Sequence, residues 1–103
     1  MLSCYLVIGS FADAATADVW NGVETKAARR IPKSIWPIVR RKLDLLKRVT
    51  RVDALRVPPG NRLETLRGSR AGSYSIRVND QYRITFTFKE GNAYEVCCED
   101  YHS

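Results

Sequence analysis

The feature that most constrains the fold is an alternation of apolar and polar residues in the second half of the chain, between residues 70 and 102. Segments 72–79 and 82–89 alternate strictly, and turn-forming residues separate them from each other and from segment 92–101. A period of two residues buries one face of a strand and leaves the other face in water. The sequence therefore predicts three consecutive antiparallel strands with one apolar and one polar face.

The register of the first two predicted strands follows from the requirement that their apolar residues share a face. Val78 must then lie opposite Tyr82, which leaves residues 79–81 as a three-residue loop. The same register places Arg77 directly opposite Arg83 on the polar face, where two like charges destabilise the pairing unless an anion lies between them. Either this pair binds an anionic ligand or the two side chains splay apart into solvent.

The third predicted strand, segment 92–101, follows a turn at residues 90–92. A register that keeps its apolar residues opposite those of the preceding strand also places Glu99 opposite Arg83. The apolar pairs of this register are Phe88 with Tyr94, Phe86 with Val96 and Ile84 with Cys98. The polar face of the sheet is then expected to gather Arg77, Arg83, Glu99 and Tyr101, with His102 at its margin.

The first quarter of the chain predicts an edge strand followed by a short helix. The apolar run at residues 2–8 is typical of a strand, and residues 11–20 are rich in alanine with apolar residues at helical spacing. Ser10 is expected to cap this helix at its start. Asn21 and Gly22 are expected to end it, because glycine readily adopts the left-handed conformation that follows a helix.

A second helix is predicted from the position of a proline and from a stripe of apolar residues. Pro37 is tolerated only in the first turn of a helix, which makes Ser34 the expected N-terminal cap. The stripe predicted to pack on the sheet consists of Ile35, Val39, Leu43 and Leu46, widened by Ile38, Leu45 and Val49. The opposite face carries Arg40, Arg41, Lys47 and Arg48. That basic face is either a solvated helix surface or a track for phosphate groups.

The order of the predicted elements indicates the class of fold. Residues 52–57 predict a brief helical turn, residues 58–60 a rigid break and residues 61–67 a further strand. Strand, helix, helix and then consecutive strands are typical of an α+β domain. We expect one domain over residues 1–103, with two main helices packed on one face of a mostly antiparallel sheet of four to five strands.

Charge and hydropathy narrow the classes of partner and location. Lysine and arginine outnumber aspartate and glutamate by 17 to 11, which gives a formal net charge of +6 and a pI near 9.6. This excess favours a polyanionic partner, either a nucleic acid or an acidic protein. The sequence has no run of about 20 apolar residues that could span a membrane, and residues 1–15 lack the basic start of a secretory signal.

The cysteines do not form a disulfide or metal-binding pattern. Of the three, Cys97 and Cys98 are adjacent, so on a strand their side chains point to opposite faces. Their spacing is not that of metal ligands. The sequence thus predicts a reduced, cytoplasmic protein that uses its cysteines as small core residues and needs no metal or other cofactor.

A longer segment resembles a known family of proteins. The sequence PPGNRLETLRGSRAGSYSIRVNDQYRITFTF, followed by EDYH, is similar to the HigB-type toxins of the RelE/ParE superfamily over residues 58–102. The resemblance implies a small RelE-like domain, the toxin half of a bacterial type II toxin-antitoxin module. It implies a ribosome-dependent endoribonuclease that cuts mRNA in the decoding site. It also implies that an antitoxin with a helix-turn-helix domain inhibits the enzyme, and that the toxin contacts operator DNA only through this antitoxin. Two alternatives are a ParE-like inhibitor of DNA gyrase and a co-repressor that acts only with its antitoxin.

The resemblance also assigns roles to individual residues. Arg83 matches the arginine of the family that contacts phosphate, and Arg67 falls where these toxins often carry a lysine. The terminal acid, tyrosine and histidine correspond to Asp100, Tyr101 and His102. Glu64 stands where some relatives have a histidine. Further RNA contacts are expected from Arg77, Arg70, Arg40, Arg41, Lys47 and Arg48.

Metal-independent RNA cleavage proceeds by attack of a 2′-hydroxyl on the adjacent phosphate. The reaction needs a base for the hydroxyl, fixed positive charge for the phosphate oxygens and an acid for the departing 5′-oxygen. Arg83, together with Arg67 or Arg77, suits the second task, because arginine stays charged and binds phosphate with two donors. The base remains open between His102, Glu64 and Tyr101, and Tyr101 is alternatively a stacking partner for an RNA base.

Overall fold

The computed structural model describes residues 8–70 and 72–100, in which two α-helices pack on a four-stranded antiparallel sheet. The helices are α1 (Ala14–Asn21) and α2 (Trp36–Arg48), and the strands are β1 (Glu64–Thr65), β2 (Ser73–Arg77), β3 (Tyr82–Lys89) and β4 (Asn92–Asp100). The strands follow one another in the sheet in chain order. This arrangement confirms the predicted α+β class. The predicted edge strand at residues 2–8 lies outside the described residues except for Ile8.

The segment before α1 lies along the free edge of β4. The Gly9 N–H donates to the Ala93 carbonyl at 2.8 Å, and the Ala12 N–H donates to the Val96 carbonyl at the same distance. Ser10 was predicted to cap α1, and this was wrong, because its hydroxyl instead accepts the Glu95 N–H at 2.9 Å. The cap is Asp13, whose carboxylate accepts the Thr16 N–H at 3.0 Å.

The start of α2 also differs from the prediction, whereas its packing agrees with it. Ser34 is not the cap: Lys33–Ile35 forms a 3₁₀ turn, and α2 begins at Trp36 with Pro37 in its first turn. The predicted apolar stripe is buried, with Val39 and Leu43 fully inaccessible to solvent. Burial of this stripe against the sheet is what holds α2 in place, because a helix of this length is marginal alone in water.

The predicted register of the β2–β3 hairpin is confirmed. Arg77 pairs with Arg83, and the Val78 N–H donates to the Tyr82 carbonyl at 2.9 Å. The loop between the strands is closed by Asn79, whose side-chain oxygen accepts the Tyr82 N–H at 2.7 Å. The alternation of the sequence and the turn chemistry therefore specify the same register.

The predicted register of β4 is confirmed at one end and wrong at the other. Cys98 pairs with Ile84 as predicted, but Phe88 pairs with Ala93 instead of Tyr94. The register shifts by one residue between Thr85 and Thr87. Two residues of β4, Glu95 and Val96, lie opposite the single β3 residue Phe86. Glu95 adopts a left-handed backbone with a φ of 55°. This β-bulge turns Ala93 and Val96 into the core, where both are buried.

The core lies between the helices and one face of the sheet. Buried residues of α1 and α2 form one cluster with the inward-facing residues of β2, β3 and β4: Ala15, Val19, Val39, Leu43, Leu46, Ile76, Ile84, Phe86, Val96 and Cys98. The opposite face of the sheet is therefore the surface that the helices leave uncovered.

Neither α-helix in the described part of the chain has the length and apolar character that crossing a membrane requires.

Candidate functional site

The face of the sheet turned away from the helices carries the polar residues of the alternating pattern. Because successive strand residues point to opposite faces, the burial of Ile76 and Ile84 in the core places their neighbours on this side. We call this surface the open face and define it by Ser73, Ser75, Arg77, Arg83, Thr85, Thr87 and Glu99. The predicted gathering of Arg77, Arg83 and Glu99 on one face is thus present in the structure.

Arg83 is held in a fixed position on the open face, at the end of the β2–β3 hairpin. Its Nε donates to the Ser75 hydroxyl at 2.8 Å, and its Nη2 donates to the carbonyls of Arg62 and, at 3.3 Å, Ser75. The residue is only 8% exposed. A buried guanidinium must be hydrogen-bonded, and these acceptors are neutral, so the positive charge of Arg83 is fixed in position without being cancelled by them.

The carbonyl that holds Arg83 belongs to a short segment that precedes β1. Asn61 is fully buried. Its side-chain N–H donates to the Leu55 carbonyl at 3.1 Å, and its side-chain oxygen accepts a hydrogen bond from the ammonium of Lys42. The next residue, Arg62, has a left-handed backbone with a φ of 45°. This conformation brings the Arg62 carbonyl to the Arg83 guanidinium. The role of Arg62 was not predicted from the sequence, because arginine carries no signal for this conformation.

Arg83 lines an open cavity of 380 Å³ at the end of the β2–β3 hairpin. The other lining residues are Arg62, Glu64, Arg77, Asn79 and Asp80, so arginines outnumber carboxylates by three to two. Glu64 Oε1 lies 3.9 Å from Arg83 Nη2, and Arg77 forms an ion pair with Asp80. The repulsion expected between Arg77 and Arg83 is thus reduced by local partners, and the cavity keeps an excess of cationic side chains.

A second ion pair crosses the open face next to Arg83. Arg70 donates twice to Glu99, from Nη1 to Oε1 at 3.2 Å and from Nη2 to Oε2 at 2.6 Å. The Thr85 hydroxyl donates to the same carboxylate. The hydrogen bond from Arg70 lowers the pKa of Glu99, against the opposing effect of burial, so this carboxylate is ionised at neutral pH. Arg70 was predicted to bind RNA, and here it also has a partner within the protein.

None of the remaining predicted catalytic residues that the structure describes is among the strand residues that define the open face. Asp100 pairs with Tyr82 at the end of the sheet and points to the opposite face from Glu99, where its carboxylate accepts the Gln81 amide at 3.0 Å. Arg67 is exposed in the chain between β1 and the turn that leads to β2. Tyr101 and His102 lie outside the residues that the structure describes.

The four basic residues predicted on α2 do not join the open face. Arg40, Arg41, Lys47 and Arg48 lie on the helix layer, on the other side of the sheet from Arg83. Two of them form ion pairs with Asp44, at 3.9 Å for Lys47 and 2.9 Å for Arg48. Lys47 also lies 5.6 Å from the centre of the Trp20 ring. Binding of RNA by these four residues stays a prediction.

The chemistry available on the open face is that of fixed cations, carboxylates and hydroxyls. Within residues 8–70 and 72–100, no group of histidine, cysteine, aspartate or glutamate side chains has the arrangement of a metal site. Burial raises the pKa of both Cys97 and Cys98 to about 12, and at Cys97 the carboxylate of Asp13, 3.4 Å from the thiol, adds to the effect. These thiols are protonated at neutral pH and are not nucleophiles.

We predict that Cys97 and Cys98 resist alkylation in the folded protein. With a pKa of about 12 for each, the thiolate fraction at pH 8 is roughly 10³-fold smaller than in an ordinary exposed cysteine, and only the thiolate reacts. Iodoacetamide labelling at pH 8, read by mass spectrometry of the peptide that contains both residues, measures this. The same labelling in denaturing urea is the control and should be fast. Labelling of the folded chain at the unfolded rate would contradict the assignment.

Comparison with protein families identifies one that covers nearly the whole chain. The sequence model described as "RelE-like toxin of type II toxin-antitoxin system HigB" matches residues 5–102. Toxin HigB-1 of Vibrio cholerae is 46% identical over 70 residues, which cover 68% of this chain and 74% of the relative. Endoribonuclease HigB of Proteus vulgaris is 49% identical over 41 residues, which cover 40% of this chain and 45% of the relative.

Two solved structures have a fold similar to that of this chain. The YoeB-YefM complex from Staphylococcus aureus contains a chain that matches with a TM-score of 0.59 and 15% identity, over 94% of this chain and 99% of that one. The YoeB/ParE toxin from Agrobacterium tumefaciens matches with a TM-score of 0.54 and 17% identity, over 91% of this chain and 98% of that one. At these identities the likeness establishes the fold alone.

Proposed function

Because the chain belongs to the HigB family of RelE-like toxins of type II toxin-antitoxin systems, we propose that it is an endoribonuclease that cleaves mRNA on the ribosome. The observation that carries this proposal is the fixed guanidinium of Arg83, held beside an open cavity whose lining has three arginines and two carboxylates. A relative from Proteus vulgaris bears the name endoribonuclease. The net charge of +6 favours a polyanionic substrate.

In the proposed reaction, the 2′-hydroxyl of one nucleotide attacks the neighbouring phosphate and expels the 5′-oxygen of the next nucleotide. Negative charge on the phosphate rises in the transition state, and a cation fixed beforehand stabilises that charge without having to reorganise. Arg83 meets this requirement, because Ser75 and the Arg62 carbonyl already hold its guanidinium. Arg67 and Arg77 are the proposed additional cations.

The proposed reaction also needs a base, and one candidate, Glu64, lines the same cavity. Glu64 lies 3.9 Å from Arg83 and is about half exposed, so its carboxylate can approach a substrate bound at the guanidinium. An ionised carboxylate accepts a proton but has none to donate, so Glu64 is a candidate for the base and not for the acid. His102 and Tyr101 are the other candidates for the base. Asp100 has a supporting role in this proposal.

Ribosome dependence is proposed because the site supplies few groups and leaves the substrate exposed. The cavity is open, and an enzyme with such a site depends on another body to align the 2′-hydroxyl with the phosphate, which is worth several kcal/mol or more. The decoding site of the ribosome provides that alignment for a codon, which places the protein in the cytoplasm.

The proposed inhibitor is an antitoxin with a helix-turn-helix domain, and operator DNA is contacted through it.

A direct test uses the purified chain with a defined mRNA, with and without ribosomes, alongside a DNA gyrase supercoiling assay. We expect cleavage of the message only on ribosomes, and unimpaired supercoiling. An intact message with inhibited gyrase would overturn the proposal in favour of ParE-like activity. An intact message with active gyrase would favour a co-repressor that acts only with its antitoxin.

A further inference from the structure

The turn that links β1 to β2 follows directly after Arg67. The ends of this connection are joined by the Leu66 N–H, which donates to the Ser73 carbonyl at 2.9 Å. Within it, Gly68–Arg70 forms a 3₁₀ turn in which the Arg70 N–H donates to the Arg67 carbonyl at 3.3 Å. The backbone position of Arg67 is therefore coupled to that of Arg70.

The side chain of Arg70 anchors this turn to β4. Its two donors bind the two oxygens of Glu99, and a bidentate pair of this kind fixes orientation as well as distance. Glu99 is itself held by the hydroxyl of Thr85, a residue of the neighbouring strand that is 1% exposed. The next residue in β4 is Asp100. The turn that begins after Arg67 is thus tied to the end of β4 by an ion pair that spans 29 residues of sequence.

We propose that Arg70 and Glu99 act as a positioning pair, which fixes Arg67 relative to Arg83 and to the end of β4. In this role neither residue touches the reacting atoms. The pair instead sets the spacing between cations contributed by a turn and by a strand. The inference rests on the proposed ribonuclease function and deepens it, because it assigns Arg70 a role different from that of a direct RNA contact.

Burial and exposure distinguish this role from a general contribution to stability. The Arg70 side chain is 45% exposed and that of Glu99 is 27% exposed. Exposed ion pairs contribute little to the free energy of unfolding. Catalysis, in contrast, is sensitive to geometry, since a displacement of about 1 Å of an aligned group costs on the order of 10²-fold in rate. Loss of the pair should therefore reduce the rate far more than it reduces stability.

The experiment measures kcat and KM for cleavage of ribosome-bound mRNA by the full chain. Arg70→Gln and Glu99→Gln should each lower kcat by about 10- to 100-fold, with KM changed by less than about twofold, and the double variant should be no slower than either single one. Arg70→Lys keeps the charge but loses the two-donor geometry, so its kcat should lie between Arg70→Gln and wild type. The matched control is Glu24→Gln, which removes a 3.0 Å ion pair with Lys33 on the helix layer and should leave kcat unchanged.

Several outcomes would overturn the inference. If Arg70→Gln raises KM while Glu99→Gln behaves as wild type, Arg70 is a direct RNA contact and the inference is wrong. Unchanged kcat in both variants, beside a wild-type chain that cleaves, overturns the positioning role and leaves the proposed function intact. A wild-type chain that does not cleave overturns the proposed function itself. If Glu99→Gln fails to fold, the two Arg70 variants decide the question, because that side chain is half exposed.

Discussion

Replacing Arg83 with glutamine should slow mRNA cleavage by about 10²- to 10³-fold, the usual cost of removing one group that stabilises charge in a transition state. Glutamine retains polar atoms that can bond with Ser75 and the Arg62 carbonyl, so the loss reports the missing positive charge more than a gap in the structure. Arg83→Ala should also relieve growth arrest, but it leaves the Ser75 hydroxyl without its donor. Single-turnover cleavage of mRNA on programmed ribosomes measures the rate of Arg83→Gln relative to wild type.

The control for this prediction is an arginine of similar chemistry outside the candidate site. Arg56 forms an exposed ion pair with Asp53, so Arg56→Gln should cleave at the wild-type rate. Antitoxin binding and circular dichroism of Arg83→Gln should match wild type, which separates a catalytic defect from misfolding. Wild-type cleavage by a folded Arg83→Gln chain would contradict the central role of this guanidinium.

Replacing Phe86 with alanine should lower the free energy of unfolding by about 3–5 kcal/mol, the usual cost of truncating a fully buried aromatic residue. Phe86 is 1% exposed, its ring lies 6.0 Å from that of Tyr74, and it faces the two-residue bulge of β4. The cavity left by the ring would lie at the middle of the sheet. This loss is a large share of the roughly 5–15 kcal/mol that stabilises a typical domain.

Urea denaturation at fixed m-value measures the change, and the same strand offers a matched control. Phe88 lies two residues further along β3 on the same face but is only partly buried. Phe88→Ala should therefore cost clearly less than Phe86→Ala. Equal losses at the two positions would mean that the core is not centred where the structure places it.

Much of the fold follows from the sequence because the alternating pattern leaves few options. Residues 72–89 specify both the strands and their register, since a shift by one residue would bury Arg83 in the apolar core. The same alternation, continued into segment 92–101, predicted that Arg77, Arg83 and Glu99 share one face. Pro37 and the apolar stripe likewise located the second helix, although not its cap.

Other features depend on tertiary contacts that leave no local pattern. The bulge at Glu95 was missed because a left-handed glutamate is unusual, and it forms where the chain before α1 runs beside β4. Ser10 and Ser34 look like caps, but Ser10 is bonded to β4 and Ser34 lies within a 3₁₀ turn. The alternation placed Arg83 on a polar face. It did not reveal that the Arg62 carbonyl would hold it.

The measurement that tests the account most directly maps the 5′ ends of cellular transcripts, and their chemistry, after the toxin is induced. Attack by a 2′-hydroxyl leaves a cyclic phosphate on one fragment and a 5′-hydroxyl on the other. We predict new 5′-hydroxyl ends within translated regions, which disappear when Arg83→Gln replaces the wild-type chain. Intact messages in cells whose growth has stopped, or DNA breaks in place of RNA cuts, would contradict the proposal that this family member cleaves mRNA.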